Sequence, residues 1–108
     1  MSVAAILINE QVGDIKEIQL DIDPKKNEIF YLLNGTPTFI GQWPELDVVL
    51  IKMEMGQILN ENILPSPFDK EEVLGKILLV RMDHNSEPRD FTLDEYRSFC
   101  GRNKCITT

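Results

Sequence analysis

Apolar and polar positions alternate along this chain in a way that marks most of its elements. Residues 3–9 are apolar and predict a first strand. Gly13 and Asp14 signal a turn. Ile18, Leu20 and Ile22 then alternate with Gln19 and Asp21, the pattern of a strand with one wet face, so the two strands are expected to form a hairpin. Asp23-Pro24 reads as a helix start, with Asp as cap and Pro at the first helical position. Ile29, Phe30 and Leu33 supply its apolar stripe, and Asn34-Gly35 closes it, which predicts a helix over residues 24–34.

The middle of the chain organises the rest. Residues 38–40 predict a short strand and Gly41-Gln-Trp-Pro44 a bend. Residues 46–53, with the apolar run Val48-Val-Leu-Ile51, predict the central strand. The only tryptophan, Trp43, therefore lies beside the central strand, and it is expected to be buried against the first helix near Phe30 and Leu33. Gly56 suggests a tight turn over residues 54–57, and Ile58-Leu59 the start of a return strand. Pro65 and Pro67 make residues 60–68 a loop. Residues 69–75 have a cap, first-turn acids and a closing Gly, which suits one helical turn. Residues 76–82 form a second strongly apolar strand. Thr92 and Glu95 make a capping box for a second helix with Leu93, Tyr96 and Phe99 or Cys100 on its apolar face, closed by Gly101. The expectation is a single α+β domain over residues 1–101 with a frayed tail, 102–108. Its mostly antiparallel sheet of five or six strands carries both helices.

Composition narrows the function. With 43% hydrophobic residues in 108, the chain can bury one core. The 11 basic and 18 acidic residues give a net charge of −7, which disfavours nucleic acid because phosphate is repelled. Residues 1–88 hold 7 basic and 15 acidic side chains, −8, against 4 and 3, +1, in residues 89–108. The bland reading of that asymmetry is a solvated acidic surface with a neutral end. Cys100 and Cys105 make no disulfide framework and read as reduced thiols of an intracellular protein. No apolar run is long enough to span a membrane, and residues 1–8 lack a basic leader, so neither a membrane span nor a signal peptide is expected.

Candidate chemistry is sparse. His84, the one histidine, stands in the polar loop 83–88, where a solvated turn residue is the commoner case. The cysteine spacing fits no familiar zinc pattern, so no metal is expected. Asp69, Glu71 and Glu72 read as ordinary helix-start acids, and no phosphate loop, dinucleotide fingerprint or nucleophile elbow occurs, so no cofactor is expected. Trp43, Asn60, Asn62 and Arg81 remain: one aromatic, two amides and one guanidinium would suit a pocket for a small molecule or a peptide. Each also has a plain structural role available, as core lid, turn former or partner for an acid.

The stretch Leu32-Leu-Asn-Gly-Thr-Pro-Thr-Phe-Ile-Gly-Gln-Trp-Pro-Glu-Leu-Asp-Val-Val-Leu-Ile51 resembles the signature of a small uncharacterised domain family of nucleocytoplasmic large DNA viruses of the algal-virus type. The likeness continues through Asn60, Leu64-Pro65, Gly75-Lys-Ile-Leu-Leu-Val80 and Asp90-Phe-Thr-Leu-Asp-Glu-Tyr96, roughly residues 13–99. The same order of features is distantly similar to a small phage and mobile-element domain found beside antirestriction genes. No catalytic set comes with either resemblance. What they imply is a viral accessory protein of the host cytoplasm or nucleus, with virion incorporation open. The expected activity is non-enzymatic binding of a host or viral protein, with self-association a further expectation. The alternatives are a small-ligand protein for a nucleotide signal, using Trp43, Asn60, Asn62 and Arg81 with Lys52 or Lys76, and a small enzyme using His84 or a carboxylate.

Overall fold

A computed structural model describes the backbone of residues 2–107 and the side chains of residues 2–101. The elements in chain order are β1 (Ser2–Ile8), β2 (Ile15–Asp21), α1 (Glu28–Leu33), β3 (Pro37–Trp43), β4 (Val48–Met53), β5 (Ile77–Met82), β6 (Pro88–Arg89) and α2 (Leu93–Thr107). The fold is α+β. The sheet has six strands in the order β2-β1-β5-β4-β3, with β6 paired to β5, and every pairing is antiparallel.

The central strand is β5, not the Val48 run. Both strands are apolar, but β5 pairs with β1 through Ile6↔Leu79 to Ile8↔Ile77 and with β4 through Val48↔Arg81 to Lys52↔Ile77. Its residues 77–80 are buried on both faces, as a strand covered on both sides must be. On one face Ile6, Ile8, Val48, Leu50, Ile77 and Leu79 pack with Trp43, Phe91, and Tyr96 and Phe99 of α2. On the other, Ala5, Leu7, Leu20, Leu78 and Val80 pack with Leu33 of α1. Side chains alternate across a strand, so each strand feeds both cores and the helices lie on opposite faces.

Several local expectations change with this geometry. The first helix starts later than residue 24. Asp23 instead closes a turn, its carboxylate accepting from the Lys25 amide at 3.0 Å, and Asn27 enters the helix left-handed at φ 53°. With only one and a half turns, Ile29, Leu32 and Leu33 meet the sheet and Phe30 is turned outward. Asn34 does end the helix, at φ 61°, its amide donating to the Tyr31 carbonyl. β3 continues through Trp43, with a bulge between Phe39 and Gly41, and the bend is a 3-10 turn at Pro44–Leu46. Pro37 and that bulge both interrupt the outer edge of β3. The expected return strand at Ile58-Leu59 is a single bridge, Leu59↔Leu74, and residues 69–75 form no helix. Pro88, expected to close the loop 83–88, instead forms β6 with Arg89. The Thr92 capping box forms as expected: the Glu95 amide donates to Thr92 Oγ1 at 3.2 Å and the Thr92 amide to Glu95 Oε1 at 3.1 Å. Gly101 does not end α2. The side chains of the expected tail, Cys105 among them, lie outside the described residues.

Trp43 is fully buried, as expected, but against the opposite helix. It pairs with Val48 and so shares that residue's α2 face. Its ring lies 5.1 Å from that of Phe99, 6.0 Å from Phe68 and 6.3 Å from Tyr96, mostly edge-on. Its indole N–H donates to the Ser66 carbonyl at 3.1 Å. A Cβ at Gly41 would overlap the Phe68 ring, so the glycine admits that ring over the sheet. Trp43→Ala is therefore expected to cost ~3–5 kcal/mol, the usual range for emptying a large aromatic site. A urea melt followed by circular dichroism measures it; a loss below ~1 kcal/mol would contradict the packing described.

Candidate functional site

The four residues singled out from sequence do not converge. Trp43 and Arg81 lie near one end of the α2 face, since Trp43 pairs with Val48 and Val48 with Arg81. Asn60 lies at the opposite end, beside Ile8 and Gly75, about 13 Å away along β5.

Each of the four is occupied within the fold. Arg81 donates from Nε to the Leu46 carbonyl at 2.9 Å, and from Nη1 to the Asp90 carbonyl at 2.9 Å and to Glu95 Oε2 at 2.7 Å. Its guanidinium carbon stands 5.0 Å from the centre of the Phe91 ring. Arg81 thus joins the end of β5 to the start of α2. Burial pushes the Glu95 carboxyl up, but the Arg81 guanidinium and the Thr92 amide and hydroxyl outweigh it and hold Glu95 below its ordinary value.

Asn60 is buried, and its amide nitrogen donates to the Ile8 carbonyl at 3.2 Å and the Gly75 carbonyl at 3.0 Å. Its Oδ1 accepts from the Asn62 backbone and side-chain amides, each at 3.0 Å. Asn62 reaches onward, donating to the Asn9 carbonyl at 2.9 Å and the Gln11 carbonyl at 3.0 Å and accepting from the Gly13 amide at 2.9 Å. Gly13 makes this possible with φ 83°, open to glycine at little cost. The two asparagines therefore pin the β1–β2 turn to the loop that crosses from β4 to β5.

That turn forms the rim of an open hollow of about 650 Å³ on the α1 face. Leu7 and Leu32 line it with Asn9, Glu10, Gln11 and Asp14 of the turn, Lys16 of β2, Tyr31 of α1, Ile58 and Lys76. Tyr31 is 72% exposed and Ile58 63%. Tyr31 also lines a smaller neighbouring hollow with Ile18, Gln19, Glu28 and Leu32, so it stands as a ridge between the two. Leu59 and Leu74, paired through their bridge, and Val12 in the turn add further exposed apolar surface. Of the residues offered from sequence for a binding site, only Lys76 lines this hollow. Glu10, Lys16, Tyr31 and Ile58 had no place in that set, and Ile58 was expected only as the start of a strand. The usable signal was that a short helix cannot bury Ile29, Phe30, Tyr31, Leu32 and Leu33 together.

His84 is exposed in the β5–β6 turn. Among the described residues no group of three or more His, Cys, Asp or Glu is placed to hold a metal, and no helix is long and apolar enough to cross a membrane.

Asn60→Ala is expected to destabilise the fold by about 1–3 kcal/mol for each buried carbonyl it leaves unpaired. Asn62→Ala should speed hydrogen exchange at Gly13, measured by NMR, with little effect at β5 amides; equal protection in the variant would contradict the pinning. At Glu95 the folded-state value is depressed, so its stabilisation is complete above the ordinary carboxylate range and is lost as pH falls through the lowered value. Glu95→Gln should therefore flatten the acid limb of a stability–pH curve from urea midpoints, and an unchanged limb would exclude the contribution.

Comparison with curated proteins and with solved structures yields no match. A family model does match, over residues 6–99, from within β1 to within α2. That span includes the asparagine tie, every residue lining the hollow and all of the buried core but Ala4 and Ala5, and by it the chain belongs to the family of unknown function DUF5880.

Proposed function

We propose that this chain is a non-enzymatic accessory protein of a large DNA virus that acts inside the host cell by binding a host or viral protein. The observation that carries the binding reading is the exposed pair Tyr31 and Ile58 at the mouth of the 650 Å³ hollow. Large apolar side chains gathered at a concavity mark interaction surfaces, and tyrosine is enriched among the residues that dominate binding energy. The viral assignment is supported by the resemblance over roughly residues 13–99. The small-ligand alternative built on Trp43, Asn60, Asn62 and Arg81 is less favoured, because their polar groups already bond within the fold.

The test compares the chain with a Tyr31→Ser, Ile58→Ser variant, both first checked for equal melting. Each is used for quantitative co-purification from the native infected cell and for sedimentation velocity. A specific protein partner, or self-association, that the wild type retains and the variant loses at least ~10-fold is the expected result. A monomer with the same co-purifying proteins for both chains would overturn the reading.

A further inference from the structure

The hollow is charged as well as apolar, and among the described residues its charges face solvent without a partner in the chain. Lys26 pairs with Asp21, Arg81 with Glu95, and Arg89 with Asp83 and Glu87. Lys16, Lys76, Glu10 and Asp14 share one concavity, and among the described residues none of them makes an ion pair or a side-chain hydrogen bond. Two of each sign lie together without neutralising one another.

Register explains the placement of the lysines. Lys16 is opposite Leu7 across β1–β2, and Leu7 is opposite Leu78 across β1–β5. Lys76 stands two residues before Leu78, so it belongs to the same face. The lysines thus flank β1, two strand spacings apart and offset by two residues along the strands, roughly 12 Å between Cα atoms. Four-carbon stems lying along apolar surface let both ammonium groups approach a single carboxylate above Leu7. The acids come from the β1–β2 turn, which Asn62 holds in place.

We infer that the occupant of this hollow is a mixed-charge segment of the partner protein, an apolar side chain bracketed by one acidic and one basic side chain. This rests on the protein-binding reading above. The apolar group meets Tyr31, Leu32 and Ile58, the acid meets Lys16 and Lys76, and the base meets Glu10 and Asp14. The local charges sum to zero within a chain of net −7. The site therefore selects by the arrangement of charge: a uniformly acidic or basic segment places like charges together, which works against binding.

A random peptide library displayed on phage tests this without a known partner. The wild type should enrich peptides with an aromatic or aliphatic residue between an acid and a base. A Lys16→Glu, Lys76→Glu variant should lose the acid from its selected peptides and gain bases. It should bind a wild-type-selected peptide on the order of tenfold more weakly, the difference shrinking at high salt. A Glu10→Lys, Asp14→Lys variant should show the reverse exchange. If selection depends on Tyr31 and Ile58 but is indifferent to all four charges, the inference falls and the protein-binding reading stands. If the wild type enriches nothing beyond the Tyr31→Ser, Ile58→Ser variant, both fall for this surface. A dimer in sedimentation that needs Lys16 and Glu10, with no peptide selected, assigns the hollow to a second copy and overturns a foreign segment.

Discussion

Burial of β5 on both faces and both edges is the constraint that the rest of the molecule serves. A strand of Ile77, Leu78, Leu79 and Val80 needs β1 and β4 for its backbone groups and a cover on each side for its side chains. The short α1 covers one side. The aromatic group of Trp43, Phe68, Tyr96 and Phe99 covers the other, with Phe91 beside Tyr96 at 6.3 Å. Arg81 then ties the end of that strand to the capped start of α2. Where the strand's apolar run stops, at Arg81, polar bonding takes over from packing.

The two sides are unequal, and the candidate site lies on the lesser one. A helix of six residues leaves part of the sheet uncovered, so Leu32 and Leu7, the latter also part of the α1-side core, line an open hollow. The rim is nonetheless held firmly. Asn60 and Asn62 bind three separate backbone segments, at Ile8 to Gly13, at Gly75 and at their own loop. Polar ties of this kind hold a loop where apolar packing is thin. The backbone of the 54–59 segment also passes close to Leu74: a Cβ at Gly56 would overlap the Leu74 carbonyl, which sets Ile58 beside the hollow. A site built on such a rim is preorganised, which reduces the ordering cost of binding.

The asparagines show how far local sequence reaches. Their spacing beside Leu64-Pro65 is compatible with a pocket wall or with a turn. Only the return of β1 to β5 brings the Ile8, Asn9 and Gln11 carbonyls within reach and decides for the turn. Trp43 behaves likewise. Its size and its place beside a strand implied burial, and burial is what occurs. Which helix it meets depends on whether the residue is odd or even along β3, and a bulge between Phe39 and Gly41 resets that count. Sequence proximity to α1 was the wrong guide because the strand intervenes.

The sequence by itself determined the features whose causes are local. These are the β1–β2 hairpin, the Asn34 helix end, the Thr92–Glu95 capping box and two strongly apolar strands, all within an α+β domain. Each rests on alternation or on a side chain bonding backbone a few residues away. Tertiary structure decided which apolar strand is central, which face each helix takes, and the hollow itself. Strand order is set by long-range pairing, such as β1 with β5 some 70 residues apart, and no local pattern records it. The gathering of Glu10, Asp14, Lys16, Tyr31, Ile58 and Lys76 at one mouth follows from that order and from the shortness of α1.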